Sequence, residues 1–155
     1  LSKRPESIIG LDISHLGGEN IVASSVYFQE GVPQKDRYRK YNIRTVQYND
    51  DFASMYELAK RIFAKLKNDL RPDLVLVDGG KGQLSSVMKA LEDLQIKGQD
   101  VCALAKKEEI IYLPFKEEGV KLDQRCQGLR LLQMIRDEAH RFAVNFQRTK
   151  RSFVR

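Results

Sequence analysis

The stretch from Leu74 to Gln83 constrains the fold most, because it joins a Val-rich apolar run to an acid and a glycine-rich turn. Four consecutive apolar residues after Pro72 predict a buried central strand. Asp78 stands where that strand ends, and ligands of open α/β sheets bind outside the carboxyl ends of strands. Lys81 falls at the start of the next predicted helix, where free backbone N–H groups favour phosphate. Asp78 is therefore either a cap of the turn or a site residue.

The composition sets broad limits on the class of protein. A length of 155 residues with 42% hydrophobic content predicts a single domain over residues 1–155. No apolar run is long enough to cross a membrane, so we expect no membrane partner. The net charge of +6 is compatible with an anionic partner, and two isolated cysteines are typical of reduced thiols in a cytoplasmic protein. Because the chain begins at Leu1 and almost directly on a strand, we expect it to be part of a longer protein.

The order of predicted elements indicates an α/β fold. Hydrophobic periodicity and turn residues predict strands at 8–15, 20–29, 37–46, 74–78 and 101–105, helices at 51–68, 81–94 and 122–148, and a small hairpin or loop at 109–118. Three antiparallel strands followed by alternating helices and parallel strands is the ribonuclease H-like arrangement, a mixed five-stranded sheet flanked by helices.

In that arrangement the ends of the first and fourth strands lie side by side, which would bring Asp12 to Asp78. An Asp inside a strand is disfavoured, so Asp12 either makes a buried hydrogen bond to a loop or serves in a site. Two carboxylates this close repel each other unless a cation lies between them or one is protonated. Carboxylate oxygens suit Mg²⁺ or Mn²⁺, which is the cofactor we expect.

His140 lies at the edge of the apolar stripe of the closing helix. A lone histidine there could simply hydrogen-bond across the helix. The same fold, however, packs the last helix against the first and fourth strands, so we favour a role for His140 in the site. Arg136 and Glu138 are interpreted as surface or supporting partners.

Five segments together resemble the UvrC family, whose members make the incisions in bacterial nucleotide excision repair. They span nearly the whole chain: Leu-Asp-Ile-Ser-His (11–15), Tyr-Arg-Lys-Tyr-Asn-Ile (38–43), Asp-Asp-Phe-Ala-Ser-Met (50–55), Val-Asp-Gly-Gly-Lys-Gly-Gln-Leu (77–84) and Ile-Arg-Asp-Glu-Ala-His-Arg-Phe-Ala (135–143). The resemblance is to the ribonuclease H-like endonuclease domain, and it implies the incision on the 5′ side of a DNA lesion. It also implies a partner, the UvrB protein, which would bind through parts of the full-length protein absent here.

The same resemblance implies that Asp12, Asp78 and His140 form the catalytic set, with Asp51 as a further position. Asp12 and Asp78 would hold one or two divalent cations, and His140 would either complete the ligand set or move a proton. The local sequence also places Asp51 in the acidic first turn of a helix.

Basic residues provide candidates for contact with damaged double-stranded DNA, although charge runs are more often solvated faces. Lys81 would contact a phosphate near the cut. Others would carry the DNA backbone: Arg37, Arg39, Lys40 and Arg44 in one strand, and Arg148, Lys150, Arg151 and Arg155 in the tail. Two alternatives stay open: a non-catalytic ribonuclease H-like binding module, and a phosphotransferase that uses the Asp-Gly-Gly-Lys turn. The second lacks a Walker loop.

Overall fold

A mixed sheet forms the centre of the computed structural model, which describes residues 4–15, 21–44, 50–66, 68–145 and 153–154. Its strands are β1 (Ser7–His15), β2 (Ile21–Gln29), β3 (Val32–Pro33), β4 (Arg39–Asn42), β5 (Leu74–Asp78), β6 (Asp100–Ala105), β7 (Ile110–Tyr112), β8 (Val120–Lys121) and β9 (Phe153–Val154). The helices are α1 (Asp51–Lys65), α2 (Lys81–Asp93) and α3 (Gln127–Val144), with 3₁₀ turns at Lys35–Arg37 and Asn68–Leu70.

The strand order is β8-β7-β6-β5-β1-β2-β4-β9, with β3 paired to β2. Strands β1, β2 and β4 are antiparallel, whereas β5 runs parallel to both β1 and β6. This confirms the ribonuclease H-like sheet, and the five predicted strands form its centre. The short strands β3, β7, β8 and β9 extend it, with β7 and β8 forming a hairpin. A single domain over residues 1–155 remains a prediction.

Two of the element boundaries that differ from prediction have clear local reasons. Helix α3 begins at Gln127 and not near Leu122, because Asp123 accepts the N–H of Arg125 on its side chain and that of Cys126 on its carbonyl. This turn around Asp123 competes with helix formation, because it engages the backbone N–H groups of Arg125 and Cys126. Strand β4 is shorter than predicted, since a 3₁₀ turn occupies residues 35–37. Residues 45–46 and 146–148 lie outside the described part of the chain.

The two faces of the sheet are covered by different helices. Side chains of alternate β1 residues, Ile9 and Leu11, pack with α1 and α2, whereas Ile8 packs with α3. Asp12 therefore projects to the α3 face. None of the helices in the described ranges has the length and apolar character that a membrane crossing requires.

Gly10 allows α3 to lie close against the sheet. A Cβ atom at this position would stand 2.7 Å from Cγ2 of Ile135 and 3.1 Å from Cγ2 of Val26. The Ser24 hydroxyl also donates a hydrogen bond of 3.1 Å to the carbonyl of Ala139. These contacts hold α3 against β1 and β2, and one of them is made by Ala139, the residue that precedes His140.

Candidate active site

Two aspartates meet at the carboxyl ends of β1 and β5. The parallel register pairs Gly10 with Leu76 and Leu11 with Val77, so the next residues, Asp12 and Asp78, are neighbours on the α3 face. Their carboxyl groups hydrogen-bond to each other. Asp12 is only 4% exposed, and its Oδ2 also accepts a 3.1 Å hydrogen bond from the Ser14 hydroxyl. The sequence-based prediction of this pair agrees with the geometry.

The environment of the pair favours one shared proton. Burial raises the pKa of Asp78, and the neighbouring charge and hydrogen bond of Asp12 raise it further, to about 7. Burial also raises the pKa of Asp12, although hydrogen bonds from Asp78 and Ser14 act in the opposite direction. Near neutral pH the two groups thus hold a proton that solvent-exposed aspartates would have lost.

His140 reaches the same pair from α3. Its Nδ1 lies 3.5 Å from Oδ2 of Asp12, and its side chain is 49% exposed. That separation is longer than a typical hydrogen bond, so the imidazole lies next to the carboxylate without being hydrogen-bonded to it. His140 therefore borders both the acid pair and solvent.

Two cations act on the acids from neighbouring elements. The charge of Lys106, immediately after β6, lowers the pKa of both Asp12 and Asp78, and that of Arg136 lowers the pKa of Asp78. Arg136 is 7% exposed and donates to Glu109 at 2.8 Å, which fits the supporting role expected for it. Lys106 was missed by sequence reasoning, yet it directly follows the strand next to β5. Asp78 was identified because ligands of α/β sheets bind outside the carboxyl ends of strands, and Lys106 also lies just past such an end.

Asp51 occupies a different part of the structure. It is the first residue of α1, after the N-cap Asp50, whose side chain accepts the N–H of Ala53. Its Oδ1 lies 2.7 Å from Nε2 of His15, at the end of β1. Among the residues that the structure describes, no contact joins Asp51 to the Asp12–Asp78 pair. Its helix-start position is confirmed, while its catalytic role stays a prediction. His15 was not singled out from the sequence.

The predicted DNA contacts fall into three groups. Lys81 is the first residue of α2 and is exposed. Arg39 is also exposed, and its guanidinium donates hydrogen bonds to the backbone carbonyls of Asp36 and Tyr38. Lys40 is instead 0% exposed, with Nζ 4.6 Å from the centre of the Phe142 ring. The expectation that Lys40 contacts DNA is corrected, because β2, α3 and β9 surround the strand position that carries it. Arg148, Lys150, Arg151 and Arg155 lie outside the described residues.

The donor atoms fit a hard divalent cation, although they are not arranged as a closed cage. Across the described ranges, no group of three or more His, Cys, Asp or Glu side chains is tight enough to hold a metal ion. Asp12 and Asp78 approach each other as a pair, and their mutual repulsion, which raises the pKa of Asp78, would be relieved by a cation between the two carboxylates. Mg²⁺ commonly binds through one or two carboxylates and keeps several waters, so Asp12 and Asp78 are a suitable pair of ligands.

The mixed sheet, with two acids at the carboxyl ends of adjacent parallel strands, defines a ribonuclease H-like α/β protein. A solved structure supports this fold: endonuclease V of Ciona intestinalis, in complex with an inosine-containing DNA, aligns with a TM-score of 0.54 at 10% identity. The alignment covers 95% of this chain and 88% of that one.

Residues 1–144 match the family described as the UvrC RNAse H endonuclease domain, and the chain belongs to that family. UvrABC system protein C of Borrelia hermsii is 48% identical over 160 residues, an alignment that covers 100% of this chain and 27% of that protein. The Prochlorococcus marinus protein of the same name is 42% identical, over 98% of this chain and 28% of its own length. This chain thus spans about a quarter of the length of these relatives.

Proposed function

We propose that this chain hydrolyses a phosphodiester bond of damaged double-stranded DNA, with Mg²⁺ or Mn²⁺ as cofactor. The observation that carries the proposal is the pairing of buried Asp12 with half-buried Asp78 at the carboxyl ends of adjacent parallel strands. Membership in the UvrC endonuclease domain family supports the 5′ incision of nucleotide excision repair as its step. The cytoplasm is the expected location, and UvrB the expected partner, through segments of the longer protein.

Each side chain has a defined part in this proposal. Asp12 and Asp78 would hold the cation, which when bound supplies positive charge against the negative charge developing on the scissile phosphate. Ser14 fixes the carboxylate of Asp12 through its 3.1 Å hydrogen bond, so that ligand is held in place before DNA arrives. Lys106, exposed beside both acids, would attract the phosphate to the cleft.

His140 would either bind the cation or transfer a proton, since half of its side chain is open to solvent beside Asp12. Lys81, at the amino end of α2, would contact a phosphate oxygen of the same DNA. Asp51 is proposed as an accessory residue that acts together with His15.

The test is incision of a lesion-bearing duplex in Mg²⁺ by the protein together with its repair partners. Asp12→Asn and Asp78→Asn should each reduce the rate of 5′ incision by more than about 100-fold. Replacing a residue that only supports a metal ligand already lowers metal affinity or activity by about 10–100-fold, and these two residues would be ligands themselves. Asp36→Asn is the matched control, since Asp36 is an exposed aspartate in the 3₁₀ turn before β4. Incision at the parent rate by either site variant would contradict the proposal and favour a non-catalytic binding module.

A further inference from the structure

The face of the sheet opposite the acid pair carries a basic cavity of about 310 Å³. It lies between strands β1, β2 and β4 and the C-terminal half of α1, on the side where Ile9 packs with that helix. No acidic residue lines it among those the structure describes. Its cationic and aromatic lining consists of Arg37, Arg39, Arg61, Lys65, Tyr27 and Tyr41.

The tyrosines hold two of the arginines in place. The guanidinium carbon of Arg37 lies 3.7 Å from the centre of the Tyr27 ring, and that of Arg61 lies 5.0 Å from the Tyr41 ring. Both rings are 7% exposed. Since the rings are buried and covered by arginines, they offer no free face for stacking with a base. The cavity therefore presents charge and hydrogen-bond donors, and not a platform for bases.

Positive charge in the cavity is only partly balanced. Glu57 lies 3.3 Å from Arg61, and it also accepts the N–H of Arg44. Arg39 donates to two backbone carbonyls, which are neutral and leave its charge in place. Among the described residues that line the cavity, four are cationic and none is acidic, and the mutual repulsion of these cations would be relieved by a bound anion.

We propose that this cavity binds a phosphate of the DNA backbone, at a place separate from the site of cleavage. Guanidinium groups match phosphate oxygens in planar, two-pronged contacts. Duplex DNA, with a negative charge about every 1.7 Å of its axis, supplies the repeated anions that a cluster of cationic side chains favours. The inference rests on the proposed function only in taking DNA as the partner.

The test is the salt dependence of binding to a labelled DNA duplex in EDTA, where no cutting occurs. Affinity falls as salt rises, and each lost phosphate contact makes the negative slope of log affinity against log salt shallower by about 1. Replacing both Arg37 and Lys65 by Gln should therefore make this slope shallower by about 2. The matched control is Lys97→Gln with Lys116→Gln, which removes the same charge at exposed positions outside the cavity and should leave the slope unchanged. If Arg37→Gln lowers the thermal midpoint, Arg39→Gln takes its place.

The outcomes separate this inference from the proposed function. A reduced slope in the cavity variant supports the inference even if the parent protein fails to cut DNA. Equal slopes for cavity and control variants overturn it even if the parent cuts, and would leave an acidic protein surface as the occupant. Absence of measurable DNA binding by the parent at low salt also overturns it.

Discussion

Replacing Asp78 by Asn should stabilise the metal-free protein at neutral pH. In the parent, half-buried Asp78 lies beside buried Asp12, and ionising both places two negative charges next to each other. An Asn side chain has a similar shape, carries no charge and can donate a hydrogen bond to Asp12. It therefore imitates protonated Asp78 at every pH.

The size and sign of this effect follow from the pKa of Asp78. A pKa of about 7 in the folded state, against an ordinary value of 3.8, means that the folded protein binds more protons than the unfolded chain between those limits. The free energy of unfolding of the parent therefore falls as pH rises from about 4 to about 7. At 1.36 kcal/mol per pKa unit, the loss is at most roughly 4 kcal/mol. The advantage of Asp78→Asn should be absent below about pH 4 and complete above about pH 7.

Urea unfolding in EDTA, followed by circular dichroism near pH 4 and near pH 8, measures the difference. Asp36→Asn, at an exposed position, should show no such pH-dependent gain. Adding Mn²⁺ should stabilise the parent at neutral pH more than it stabilises the variant, because a ligand that binds the folded state raises its stability. Equal or lower stability of Asp78→Asn near pH 8 would refute the reasoning.

Four further changes test other parts of the structure. Phe115 has a φ of 65° and a fully exposed ring, so Phe115→Gly should raise the free energy of unfolding by about 0.5–1 kcal/mol in thermal melts, whereas Phe115→Ala should not. Gly10→Ala should cost about 1–3 kcal/mol by its clash with Ile135, and combining it with Ile135→Ala should cost less than the sum of the two in the same melts. Lys81→Gln should weaken DNA binding at low salt, with a loss that shrinks as salt rises; unchanged binding at low salt would exclude it from the interface. His140→Ala should lose most incision at neutral pH, and His140→Asp should keep part of it only if the residue binds the cation; parent-like cutting by His140→Ala would make it a packing residue.

The acid pair could be predicted because its position depends on a simple rule of sheets. The Val-rich run before Asp78 and the alternating pattern around Asp12 identify two strands, and the intervening helix makes them parallel. Their carboxyl ends must then share an edge. His140 followed from the same reasoning, since α3 is the helix that covers this face.

Features that depend on side-chain contacts between elements, and not on the order of the strands, could not be predicted. The basic composition around β4 indicated an exposed strand, but Lys40 is buried because its neighbour on α3, Phe142, lies over it. The contact between His15 and Asp51 joins residues 36 positions apart, and neither local pattern indicates it. The basic cavity likewise combines β4 with the far end of α1, whose individual charges look like an ordinary solvated face.

Anomalous diffraction from crystals soaked in Mn²⁺ tests the central claim most directly, because it locates the cation without relying on cleavage. We expect an anomalous peak in contact with carboxylate oxygens of both Asp12 and Asp78, and its loss in crystals of Asp78→Asn. A peak bound elsewhere, or no peak between these two carboxylates at saturating Mn²⁺, would contradict the account.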